Sequence, residues 1–130
     1  LQRNCAALAP RVAAVQADVF GYENTLAPHS VDVIVSNPPY VTAQEYEALA
    51  PELRFEPREA LVAPQQAFSF CSHFPRAFSR ARKRGGALVF EIGAGQAQQV
   101  AAFCRAAGYA GISVRRDAAG LPRCVYAEKP

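Results

Sequence analysis

An α/β fold built on a largely parallel sheet, with helices on both faces, is predicted by three observations. A β-branched run at Val31–Ser36 (VDVIVS) and an apolar run at Ala87–Ile92 are separated by segments of helical pattern. Glycine and proline punctuate nearly every change of period. The 130 residues amount to one domain, with no length left for a second module.

The elements follow in order. Gln2–Leu8 reads as the tail of a helix, and Val12–Ala17 as a short buried strand ending at Asp18. Gly21–Ser30 is a loop, and Val31–Ser36 is the clearest strand, running straight into Asn37-Pro38-Pro39-Tyr40. Thr42 and Glu45 form a T-x-x-E capping box that opens a helix through about Leu49. Pro51, Pro57 and Pro64 keep the next stretch irregular, and a helix over Gln65–Arg82 follows. Gly85–Gly86 lead into strand Ala87–Ile92, and Gly93–Gly95 turn the chain into a helix over Gln96–Ala107, closed by Gly108. Ile112–Arg116 and Cys124–Glu128 are the last strands, joined through Gly120-Leu121-Pro122. In a parallel sheet, ligands sit beyond the carboxyl ends of the strands. Asp18, Asn37–Tyr40 and Glu91–Gly95 are all expected at that edge.

Charge and composition exclude several classes. Fourteen Lys+Arg against eleven Asp+Glu leave a formal charge of +3, too small to argue for nucleic acid. The cluster Arg76, Arg80, Arg82, Lys83, Arg84 reads as a solvated helix end. No apolar run approaches the roughly 18 residues of a membrane span, and no secretory signal is present, so a cytoplasmic chain is expected. Cys5, Cys71, Cys104 and Cys124 lie far apart, with His29 and His73 off any zinc-finger spacing; reduced thiols and no metal site are expected. The chain opens on Leu1 and contains no methionine; truncation, processing and a non-standard start codon account for this equally.

Ser36-Asn37-Pro38-Pro39-Tyr40 carries the chemistry. Each proline fixes its own φ and holds the residue before it extended, so the loop is stiff before a ligand arrives. Neither proline has an N–H, which leaves backbone acceptors and almost no donors. Asn37 adds a side-chain oxygen, and Tyr40 an aromatic face. Rigid acceptors beside a ring suit a planar –NH2 group: gripping both N–H bonds favours a less conjugated, more nucleophilic nitrogen.

DVIVSNPPYV, followed by ALAPELRFEPREAL, GGALVFEIGAGQ and RRDAAGLPR, resembles the protein-glutamine N5-methyltransferases of peptide-chain release factors, across almost the whole chain. Asn-Pro-Pro-Tyr alone is shared with N6-adenine methyltransferases; Glu56-Pro57-Arg58 with Ala60-Leu61 tilts the reading toward glutamine. The resemblance implies a Rossmann-like class I methyltransferase fold that uses S-adenosylmethionine, with sheet order 3-2-1-4-5-7-6. The acceptor is the glutamine of the Gly-Gly-Gln loop of class 1 release factors. No membrane or nucleic-acid partner is expected. By that resemblance Asn37 and the Pro38 carbonyl hold the acceptor amide, and Pro39 and Tyr40 wall its pocket. Asp18, Val19 and Asn37 lie near the donor, Asp18 and Val19 at its adenine. An ordinary turn cap is the other reading of Asp18. Glu56 and Arg58 either shape the acceptor entrance or form a local ion pair.

The chain departs from the family's pattern in two places. Val62-Ala63-Pro64-Gln65-Gln66-Ala67 replaces a glycine-rich, aspartate-containing segment. Nothing before Val12 supplies the first two strands and the glycine-rich donor loop, so residues 1–130 are expected to be the C-terminal portion of one methyltransferase domain. Alone it is expected to be marginally stable and a poor binder of the donor. Two alternatives stay open: an N6-adenine DNA or RNA methyltransferase, and a truncated, non-catalytic remnant.

Overall fold

Four strands form one mixed sheet in the computed structural model, which describes residues 2–8, 11–63 and 68–130. Strand β1 (Val31–Ser36) lies at one edge, beside β2 (Arg82–Glu91), then β4 (Pro122–Glu128), with β3 (Ala110–Arg116) at the other edge. The β1–β2 pair is parallel, with Ile34 opposite Leu88 and Ser36 opposite Phe90, whereas β2–β4 and β3–β4 are antiparallel. This β1-β2-β4-β3 order matches the 4-5-7-6 half of the expected sheet. The expected largely parallel sheet is corrected by it. The β3–β4 link is a hairpin, and a hairpin can only join antiparallel neighbours. Gly120, at φ +77°, makes its turn.

Among the described residues the helices are α1 (Gln2–Leu8), α2 (Val19–Tyr22), α3 (Ala43–Glu47), α4 (Arg58–Leu61), α5 (Ser69–Ala77) and α6 (Ala97–Ala106). The core lies on one face of the sheet. Cys71, Phe74 and Phe78 meet Val100 and Cys104 over Leu88 and Phe90 of β2 and Val125 and Ala127 of β4. Strand alternation turns Val33 and Val35 the other way, leaving them 53% and 74% exposed. Among the described residues the expected coverage of both faces is therefore incomplete: Val33 and Val35 of β1 face solvent.

Val12–Ala17 is not a strand. It has no ladder partner among the described residues, and Val12 and Val15 are more than half exposed. An apolar run becomes a strand only when a neighbouring backbone takes its N–H and C=O groups. Asp18 therefore does not stand at a strand end.

The helix expected over Gln65–Arg82 ends at Ala77, and residues 65–67 lie outside the described ones. Strand β2 starts at Arg82 rather than Ala87 because Arg82 already pairs with Val31, with residues 83–86 bulging out before Val33 meets Ala87. Gly86 is required there: a Cβ would come within 2.7 Å of the Asp32 carbonyl. The basic cluster is thereby taken apart. Lys83 pairs with Asp32 at 2.8 Å, and Arg80 donates to the Leu26 carbonyl. Arg82 is fully buried, its guanidinium 4.0 Å from the centroid of the Tyr109 ring.

The expected capping box is present at α3. The Thr42 hydroxyl accepts from the Glu45 N–H, and a Glu45 carboxylate oxygen accepts from the Thr42 N–H at 2.8 Å. Those bonds from Thr42 hold the Glu45 carboxyl below its ordinary pKa. A lowered folded pKa contributes stability that is present above the unfolded value, about 4.3. That contribution is lost as pH falls through the folded value. Thr42→Ala is expected to cost about 0.5–1 kcal/mol at neutral pH and somewhat less once acid protonates Glu45, read from urea midpoints along a pH series. The bond from the Glu45 N–H to the Thr42 hydroxyl is independent of that charge.

All four cysteines are free thiols. Burial pushes Cys71 up to about 12 and Cys104 up to about 11, so both stay protonated in the folded chain. Gly108 closes α6 at φ +80°, as expected. Among the described residues no helix is long and apolar enough to cross a membrane.

Candidate active site

The site begins where the β1–β2 ladder ends. Ser36 opposite Phe90 is the last parallel pair, and the next residues of β1's chain are Asn37, Pro38, Pro39 and Tyr40. The prolines cannot donate to a ladder, so pairing stops and the loop leaves the sheet edge. Pro38 is buried, Pro39 and Tyr40 are half-buried, and Asn37 is exposed. The Asn37 side chain makes no internal hydrogen bond among the described residues. Beyond the loop, Val41 rejoins structure in a parallel bridge to Val62: its N–H donates to the Leu61 carbonyl at 3.1 Å, and its carbonyl accepts from Ala63 at 3.0 Å.

Two cavities flank this loop. One, of about 500 Å³, is an open cleft lined by Ser36, Asn37, Glu91, Asp117, Arg123 and Cys124, together with Val35 and Val89. The other, of about 630 Å³, is walled by Tyr40, Thr42, Glu45, Phe68, Gln96 and Arg123, among others. Arg123 borders both. Its Nε donates to Asp117 at 3.0 Å, while Asp117 also accepts from the Ala119 and Leu121 N–H groups at 2.9 Å. The bonds from Leu121 and then Arg123 hold the Asp117 carboxyl below its usual range. A charged hairpin tip is thus locked in place beside Asn37. Asp117 and Arg123 lie in the RRDAAGLPR segment, but sequence reasoning assigned them no role. Gln96 has no role in the sequence reading either, where it only opens the helix over Gln96–Ala107.

The structure brings Asn37, Pro38, Pro39 and Tyr40 together at the carboxyl edge, alongside Glu91–Gly95. It sets Asp18 and Val19 differently. An Asp18 oxygen accepts from the Phe20 N–H at 2.9 Å, capping α2, and Val19 packs on the core; neither lines the two cavities. Phe20 stacks against Phe70 and His73, at 4.9 and 4.8 Å between centroids, fastening this segment to α5. The Glu56–Arg58 ion pair does not form. Arg58 sits instead 5.3 Å from the centroid of the Tyr46 ring, which holds α4 against α3.

Chemically, the edge offers acceptors (Asn37 Oδ1 and main-chain carbonyls), an aromatic wall and one oriented guanidinium. That set suits an uncharged –NH2 group.

No family model matches the chain. Among curated proteins, a release factor glutamine methyltransferase of Cereibacter sphaeroides is 42% identical over 104 residues, 79% of this chain and 37% of that relative. One from Geobacter sulfurreducens is 34% identical over 125 residues, 95% of this chain and 43% of that relative. The chain thus resembles these enzymes over most of its length and spans well under half of theirs. A solved structure of a putative DNA modification methylase from Thermus thermophilus has a TM-score of 0.56 at 16% identity, covering 88% of this chain and 52% of that one. A possible exported protein from Bordetella parapertussis also reaches 0.56, at 20% identity, covering 98% of this chain and 48% of that one. Both likenesses are of fold alone: the mixed four-stranded sheet and its helices match about half of each of those chains.

Proposed function

We propose that this chain is the acceptor-binding portion of a release factor glutamine methyltransferase, transferring a methyl group to the side-chain amide nitrogen of the Gly-Gly-Gln glutamine. The observation that carries the reading is an unpartnered Asn37 side chain at the end of β1, in a loop that two prolines deprive of donors. The identities of 34–42% to enzymes of that name support the choice of glutamine.

Asn37 Oδ1 and the Pro38 carbonyl accept the two N–H bonds of the acceptor amide. Held from both sides, the nitrogen lone pair is less committed to amide resonance, and the cost of reaching the transition state falls. Pro39 and Tyr40 wall the amide in, and Tyr40 offers its π face to nearby positive charge. Catalysis here is mainly positioning, and no strong base is needed: once methylated, the nitrogen loses a proton to water. S-adenosylmethionine is the donor this reading implies, and when bound it supplies an electrophilic methyl on sulfonium. The residues present fit it in part. Asp18 spends one oxygen on its cap and keeps the other for an adenine amino group, Val19 keeps part of its surface exposed, and Asn37 stands at the loop's open side. Class 1 release factors are the partners, and the reaction belongs in the cytoplasm.

The natural gene product, incubated with S-adenosylmethionine labelled in its methyl group, is expected to label a release factor once, and not its glutamine-to-alanine variant. Label in an adenine-containing oligonucleotide instead would move the assignment to an N6-adenine methyltransferase, whose fold is the same. No label in either acceptor, from a chain folded by circular dichroism, would make it a non-catalytic remnant.

A further inference from the structure

We infer that Gln96 is a positioning residue that fixes the Asn37–Tyr40 loop to the end of the sheet, an inference that takes the acceptor role of that loop from the proposed function. Past Ser36 opposite Phe90, the chains leaving β1 and β2 run on without a rung between them. The side-chain amide of Gln96 closes that gap. Its Oε1 accepts from the Gly93 N–H at 3.0 Å, and its Nε2 donates to the Tyr40 carbonyl at 3.4 Å. One planar group therefore joins both main chains where proline has removed the means of joining them directly.

Three further observations agree. Gln96 stands at the residue before α6 but makes no side-chain cap to that helix, so its amide serves the loop. A Cβ on Gly93 would lie 3.3 Å from the Gln96 amide and 3.3 Å from Cδ2 of Tyr40, so the missing side chain is what lets amide and ring close together. Tyr40 is also held from behind, through the bonds of Val41 to Leu61 and Ala63. The far end of the loop is clamped on two sides, while Asn37 at its near end keeps its side chain unbonded.

The clamp needs a donor and an acceptor on one group. Glutamate keeps the size and the bond from Gly93 but faces the Tyr40 carbonyl with a second acceptor; alanine keeps neither bond. The test compares Gln96→Glu and Gln96→Ala in the natural gene product by two readouts. The first is the ring resonances of Tyr40 among the five tyrosines, carbon-13 labelled and assigned by Tyr40→Phe. The second is kcat and KM for methylation of release factor. Both variants are expected to move the Tyr40 resonances and to lower kcat by roughly 10- to 100-fold, with donor affinity unchanged. Unmoved Tyr40 resonances in both variants, or full kcat in Gln96→Glu, would overturn the inference. Should the parent protein methylate no release factor, the proposed function falls, and the Tyr40 spectra alone decide for or against the clamp. A Gln96→Ala variant that does not fold leaves the decision to Gln96→Glu.

Discussion

Asn37→Ala is expected to lower methyl transfer to release factor by roughly 10²–10³-fold in kcat, the usual loss when one preorganised polar group at a reacting centre is removed. The same substitution is expected to leave the unfolding midpoint within about 0.5 kcal/mol of the parent. Both halves follow from one geometry: the side chain is exposed, makes no internal bond, and follows a strand whose pairing already ends at Ser36. Kinetics on release factor, with urea unfolding of the same samples, checks the pair of outcomes. A variant that keeps its activity removes Asn37 from the acceptor site. One that loses activity together with several kcal/mol of stability makes it a structural residue.

Arg82→Met is expected to stabilise the fold. Arg82 is fully buried at the start of β2, and none of Nε, Nη1 and Nη2 has a hydrogen-bond partner among the described residues. Burial holds its pKa below the ordinary arginine value, against the opposing influence of Tyr109 and Cys104. Desolvating an ion costs several kcal/mol. The Tyr109 face, 4.0 Å away, returns about 2 kcal/mol of that. Methionine fills similar space, carries no charge, and keeps a favourable sulfur contact with the ring. The expected gain is on the order of 1–2 kcal/mol in urea unfolding, with activity unchanged because Arg82 lies at the opposite end of β2 from Glu91 and the Asn37 edge. A loss of stability would mean that the guanidinium is compensated in the folded chain.

What could be read in advance was local. Two consecutive prolines after a β-branched run declare a stiff, donor-poor loop whatever surrounds them, and Thr42 with Glu45 three residues on declares a helix start. Order within the sheet came from the resemblance, and the pairing of β1, β2, β4 and β3 agrees with it. The unread features are non-local. Whether Val12–Ala17 is a strand depends on a neighbouring backbone that no run of valines and alanines specifies. Whether Arg82 is a surface cation depends on the register that pairs it with Val31. Gln96 looked like an ordinary first residue of a helix, because its meaning lies 56 positions away, at Tyr40. Asp117 and Arg123 stood inside a quoted segment, yet only the hairpin turns them toward Asn37.

The solvent-facing valines of β1 also bear on how the protein behaves as a sample. Val33 and Val35 project from a strand that, among the described residues, has a partner on one side only, and such an edge is a template for another copy. Dilution then becomes a variable in its own right. Midpoints and rates taken at high protein concentration mix the properties of the monomer with those of strand-paired assemblies, and Asp32, paired with Lys83 just ahead of Val33, is the one charge on that strand that opposes the pairing.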